Sequence, residues 1–151
     1  MAQGPPLAVV DASVVLKWQL DDEDCVREAT ALRDDFYLRG ALTVIAPHLL
    51  IYEVVNGIAT AVRHKRIALD LATTALSNLM ALGIELRHVE PLRVLETALR
   101  YNLAAYDAAY LALAEAHKCD LWTGDRAFRQ TVRNRSRLVK WIGDYSPHTE
   151  R

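Results

Sequence analysis

Three short, unbroken apolar stretches constrain this chain most: "LAVVDAS" at 7–13, "LTVIAP" at 42–47 and "DLWTGD" at 120–125. Each is too short for a helix and carries no polar alternation, so each reads as a strand buried on both faces. "IELRHV" at 84–89 and "RLVKWIG" at 137–143 are weaker strand candidates. Helical patterns fill the intervals at 23–40, 48–66, 68–83, 91–102 and 104–119. Pro91 suits a first helical position, and Gly40 and Gly83 fall just past helix ends. Strands alternating with helices predict an α/β fold, a three-layer α/β/α sandwich around a mainly parallel sheet. The helices near 48–65 and 69–82 have no strand between them and are expected to form a hairpin projecting from the sheet. The acidic stretch "LDDED" at 20–24 reads as dipole compensation for the helix that follows.

With 151 residues, 52% of them hydrophobic, the chain is expected to form a single domain over 1–151. A net charge of −1 excludes a generally basic coat, so any nucleic-acid site must be local. Cys25 and Cys119 form no CxxC pair, no secretory leader is legible at the start, and no apolar stretch approaches the roughly 18 residues of a membrane span. The chain therefore reads as cytoplasmic, with no membrane partner. Walker A and GxGxxG sequences are absent.

Four acids stand out because each sits among apolar residues. Asp11 follows "LAVV" and Asp125 follows "DLWTG", which puts both at the carboxyl edge of the sheet, where ligands bind in open parallel sheets. Glu53 lies in "LLIYEVVNG", with Asn56 on the same helical face and Gly57 leaving room for close approach. Asp107 lies in "LAAYDAAYLALAE" near a helix start. Singly, each has an ordinary explanation as a cap, a turn acid, a dipole partner or a surface pair. Jointly, four neighbouring carboxylates repel unless a cation offsets them. Oxygen-only donors suit Mg2+ or Mn2+; Zn2+ would favour His or Cys, and no HxxxH or HExxH spacing occurs. Such ions activate water and neutralise phosphate in phosphodiester hydrolysis. Ser13 and Thr123, two residues from Asp11 and Asp125, can orient a carboxylate or bond locally within a turn.

The order "VVDASVVLKW", "YEVVN", "YDAAYLALAE", "LWTGDRAF" and "VKWIGDY" resembles a PIN-domain ribonuclease of the VapC toxin type over nearly the whole chain. The resemblance implies the α/β/α fold, RNA cleavage, and Mg2+ or Mn2+ held by Asp11, Glu53, Asp107 and Asp125. It also implies a homodimer and a small antitoxin that wraps the toxin, with the helical hairpin after Glu53 as the clamp. One departure is Ala127, at a position where some members carry another acid that serves a second metal. The stretch "RAFRQTVRNRSRLVK" brings Arg126, Arg129 and Arg133, with Arg135, Arg137 and Lys140, beside the site, either as an RNA-backbone contact or as a solvated face. Two other readings remain: a housekeeping PIN nuclease, and a weakly active regulator that binds nucleic acid or antitoxin. An aspartyl-phosphate enzyme is disfavoured because position 13 is Ser, where an Asp-x-Asp start is needed.

Overall fold

In the computed structural model, which describes residues 4–148, every expected strand forms. Strands β1 (Leu7–Val10), β2 (Thr43–Pro47), β3 (Glu85–Arg87), β4 (Asp120–Thr123) and β5 (Val139–Trp141) make one sheet in the order β3-β2-β1-β4-β5. All neighbours are parallel. Val9 pairs with Ile45 on one side and Leu121 on the other. The three central strands are the three unbroken apolar stretches, and Val9, Val10, Val44, Ile45 and Leu121 are wholly buried. The weaker candidates became the edges, where one side of a strand has no ladder partner.

Helices α2 (Val26–Tyr37), α3 (Leu49–Arg63), α4 (Leu69–Met80), α5 (Pro91–Tyr101), α6 (Ala105–His117) and α7 (Arg126–Val132) cover the sheet, giving three layers. Pro91 opens α5 as its spacing suggested, and α5 and α6 close on left-handed Asn102 and Lys118. Seven consecutive residues of α6, Ala108 to Ala114, are buried, as expected of a helix apolar on every side.

Three details differ from the sequence expectation. Residues Ala12–Leu16 form a further helix, α1, too short to show a period, and Asp11 caps it by accepting the Val14 N–H. The α3–α4 hairpin is seated along one face, because Leu50, Val54, Ile58, Ala72, Ala75 and Leu79 all join the core. The acidic stretch does not cap α2, whose N-cap is Cys25. Instead Asp22 and Glu23 meet Arg66 at 2.8 and 3.4 Å, tying this loop to the α3–α4 turn, while Asp24 meets Arg126 at 3.5 Å. No helix among the described residues is long and apolar enough to cross a membrane.

Candidate active site

β1 and β4 lie side by side; Asp11 directly follows β1, and Asp125 follows β4 after Gly124. Asp11 is 7% exposed, a costly place for a carboxylate unless hydrogen bonds hold it. It accepts from Ser13 Oγ, from Thr123 Oγ1 at 2.5 Å and from the Val14 N–H at 3.3 Å. The same hydroxyls stitch the β4 turn in place: the Gly124 N–H donates to Ser13 Oγ at 2.7 Å, and the Asp125 N–H to Thr123 Oγ1 at 3.0 Å. Asp125 is exposed and caps α7 through the Phe128 N–H at 3.1 Å. Asp125 thus caps a helix while its charge is felt by Asp11 and Asp107.

Glu53 on α3 and Asp107 in the first turn of α6 are half-buried. The Tyr110 hydroxyl, one turn beyond Asp107 and 2% exposed, donates to Glu53 at 2.6 Å and bridges the two helices. Asp107 itself has no hydrogen-bond partner among the described residues.

The acids feel one another. Burial pushes the Asp11 carboxyl up to about 6 against the hydrogen bonds of Ser13, Thr123 and Val14, and the Asp125 charge pushes it the same way. Burial first, then the charges of Asp125 and Glu53, push Asp107 up to about 6. Burial raises Glu53 while the Tyr110 hydrogen bond opposes it. Tyr110 is driven far above the ordinary phenol range by burial and by its bond to Glu53, with the charges of Glu53, Asp11 and Asp107 adding to the effect. One electrostatic neighbourhood therefore links acids from β1, α3, α6 and the end of β4. Among the described residues, however, no three His, Cys, Asp or Glu side chains stand close enough together to hold a metal ion.

Of the remaining expected residues, Ser13 and Thr123 support Asp11 directly. Asn56 is exposed and makes no side-chain hydrogen bond among the described residues, so it is not gathered into the site. Arg126 and Arg129 lie over the Trp141 ring of β5, at 4.8 and 5.9 Å from its centroid, and Arg133 is exposed. Tyr110 and Trp141 were not singled out by sequence reasoning; for Tyr110 the available signal was its spacing of three from Asp107 within "YDAAY". A cavity of about 570 Å3, lined by Lys17, Trp18, Leu20, Asp22, Arg66 and Leu71 among others, contains none of the four acids.

Fold and site define a class, an α/β/α protein with a carboxylate centre at the carboxyl edge of a parallel sheet. The PIN domain family model matches residues 8–134. Ribonuclease VapC1 of Mycobacterium tuberculosis is 35% identical over 116 residues, covering 68% of this chain and 86% of that protein. Ribonuclease VapC9 of the same species is 31% identical over 125 residues, covering 83% and 91%. The crystal structure of PAE2754 from Pyrobaculum aerophilum superposes with a TM-score of 0.66 at 23% identity, covering 91% of this chain and 92% of that one, a likeness of fold. This chain belongs to the PIN-domain family, among the VapC ribonucleases.

Proposed function

We propose that this protein is a metal-dependent endoribonuclease, the toxin of a toxin–antitoxin pair, in which Asp11, Glu53, Asp107 and Asp125 hold Mg2+ or Mn2+. The observation that carries this reading is that carboxylates from four elements feel one another: burial first, and then the charge of neighbouring acids, raises both Asp11 and Asp107 to about 6. A field of that sign is relieved by a hard cation, and oxygen-only donors match Mg2+ or Mn2+. The donor set thus fits the ion in chemistry. Asp107, whose side chain makes no hydrogen bond among the described residues, has the freedom to turn towards it. When bound, the ion supplies an activated water and neutralises charge gathering on the phosphate.

The chain's own groups do the rest. Ser13 and Thr123 favour the ionised form of Asp11 and fix its oxygens. Tyr110 aims Glu53. Arg126, Arg129 and Arg133 offer charge to the RNA backbone. The names of the relatives, both ribonucleases, support RNA as substrate. The site of action is the cytoplasm, the active species is a homodimer, and the antitoxin is clamped by the α3–α4 hairpin. An apolar groove lined by Val55, Ile58, Val62, Leu69 and Leu76 supports that last assignment.

RNA cleavage is expected to require Mg2+ or Mn2+, to stop with chelator, and to fall by orders of magnitude in Asp11→Asn, which keeps the shape but not the charge. Full cleavage in chelator by protein free of contaminating nucleases would refute metal dependence. Expression alone is expected to be toxic, and co-expression with the adjacent small reading frame silent. Harmless expression of folded, active protein would favour a housekeeping nuclease, and folded protein without cleavage a binding regulator.

A further inference from the structure

The stretch "VVDASVVLKW" contains one charged group that the carboxylate site leaves unused. Lys17 follows the last residue of α1 and is 6% exposed, a rare state for lysine. It has no side-chain hydrogen bond or ion pair among the described residues. Yet no buried side-chain nitrogen or oxygen among those residues lacks a hydrogen-bond partner. Both facts hold only if the stem is buried and the ammonium tip reaches solvent, as a snorkelling lysine does.

The tip lies against Gly124, at the edge of the cavity that Lys17 also lines. A Cβ at Gly124 would lie 2.7 Å from Lys17 Cε and 3.4 Å from Nζ, so the lysine occupies the space that a side chain there would need. Helical side chains lean towards the helix N-terminus, and at that end of α1 stands Asp11. The ammonium is therefore set against the turn that joins Thr123, bonded to Asp11, to Asp125.

Two roles fit poorly. As an internal counter-ion Lys17 would pair with one of the acids, and among the described residues no carboxylate lies within 4 Å of it. As plain packing, a methionine would fill the same volume without desolvating a charge. What remains is an anion from outside. We propose that Lys17 Nζ binds a backbone phosphate of the RNA where the strand crosses Gly124, between the carboxylates and the arginines over Trp141. The identity of the anion rests on the ribonuclease reading; the placement of the cation does not.

The test is binding of a single-stranded phosphorothioate oligoribonucleotide, titrated across KCl at fixed Mg2+, to wild type and Lys17→Met. Losing one phosphate contact on a single strand lowers the slope of log K against log salt by about 0.7. The variant is expected to show that fall and roughly tenfold weaker binding at low salt, with a melting temperature no lower than wild type. Wild-type slope and affinity in folded Lys17→Met overturn the proposal. If that variant does not fold, Gly124→Ala, whose methyl displaces the lysine tip, is expected to give the same loss with the charge still present; unchanged binding there overturns it equally. Cleavage of an ordinary oligoribonucleotide is followed in parallel. A wild type that binds but does not cleave refutes the ribonuclease reading while the slopes still decide on Lys17, and a wild type that binds no RNA overturns both.

Discussion

Asp107 stands in the first turn of α6, where an acid is normally welcome, yet its neighbours make it a burden. In the metal-free chain burial and the charges of Asp125 and Glu53 hold its carboxyl at about 6, above the ordinary 3.8. Its folded value exceeds its unfolded one, so the native state binds more protons between about pH 4 and 6, and stability is lost as pH rises through that window. Asp107→Asn is therefore expected to melt at or a few degrees above wild type at pH 7 to 8, with the gap closing near pH 4. Millimolar Mg2+ is expected to raise wild type more than the variant; equal responses in thermal melts would remove Asp107 from the metal set. Residues of this kind were legible because a lone acid among alanines and leucines has few explanations. Tyr110, Lys17 and Trp141 were not, since a tyrosine or tryptophan among apolar neighbours reads as core, and a lysine's buried stem is invisible until Gly124 is folded against it.

The elements were legible in proportion to their burial. Strands enclosed on both sides must be apolar throughout, so β1, β2 and β4 stood out, while β3 and β5, edges of three residues each, carried a fainter pattern. Helix α1 escaped because five residues hold little more than one turn, and its existence depends on a cap rather than on a period. Its packing is set by Gly57 of α3. A Cβ at Gly57 would lie 2.4 Å from Leu16 Cδ1 and 3.2 Å from Cγ, so a side chain there requires Leu16 to move. Gly57→Ala gains about 1 kcal/mol of helix propensity and meets about 1–3 kcal/mol of overpacking. Because Leu16 must leave its packed rotamer to make room, a net loss of up to about 1 kcal/mol is expected in urea unfolding. In a Leu16→Ala background the same change is expected to become stabilising. A gain in both backgrounds would mean that α1 yields without cost.

Across the whole molecule, the C-terminal segment is fastened to α2 by a fully buried acid. Asp35 accepts from the Tyr145 hydroxyl at 2.6 Å, from the His148 N–H at 3.0 Å, and from Arg39 at 3.1 Å. Burial alone would raise its carboxyl, but the hydrogen bonds from Tyr145 and His148 outweigh it and hold it below the usual range. A depressed carboxylate stabilises above its unfolded value and loses that contribution as pH falls towards the folded one. Tyr145→Phe is expected to cost about 1–2 kcal/mol at pH 7, with the difference shrinking on acidification to about pH 3. Urea midpoints at the two values check this, and a pH-independent difference would mean that the charge on Asp35 is not what the hydroxyl serves. Such long-range closures have no local sequence signal, which is why this one went unread. The pairing of β1 with β4 is another, for Thr123 reaches Asp11 across 112 positions of chain. Because synthesis proceeds from the N-terminus, a ribosome making this protein exposes Asp11, Glu53 and Asp107 before the strand that brings Asp125 to them has left the exit tunnel. The growing chain thus stays without its full set of acids until β4 and the turn after it are made, a delay that follows from the order of the four acids along the sequence.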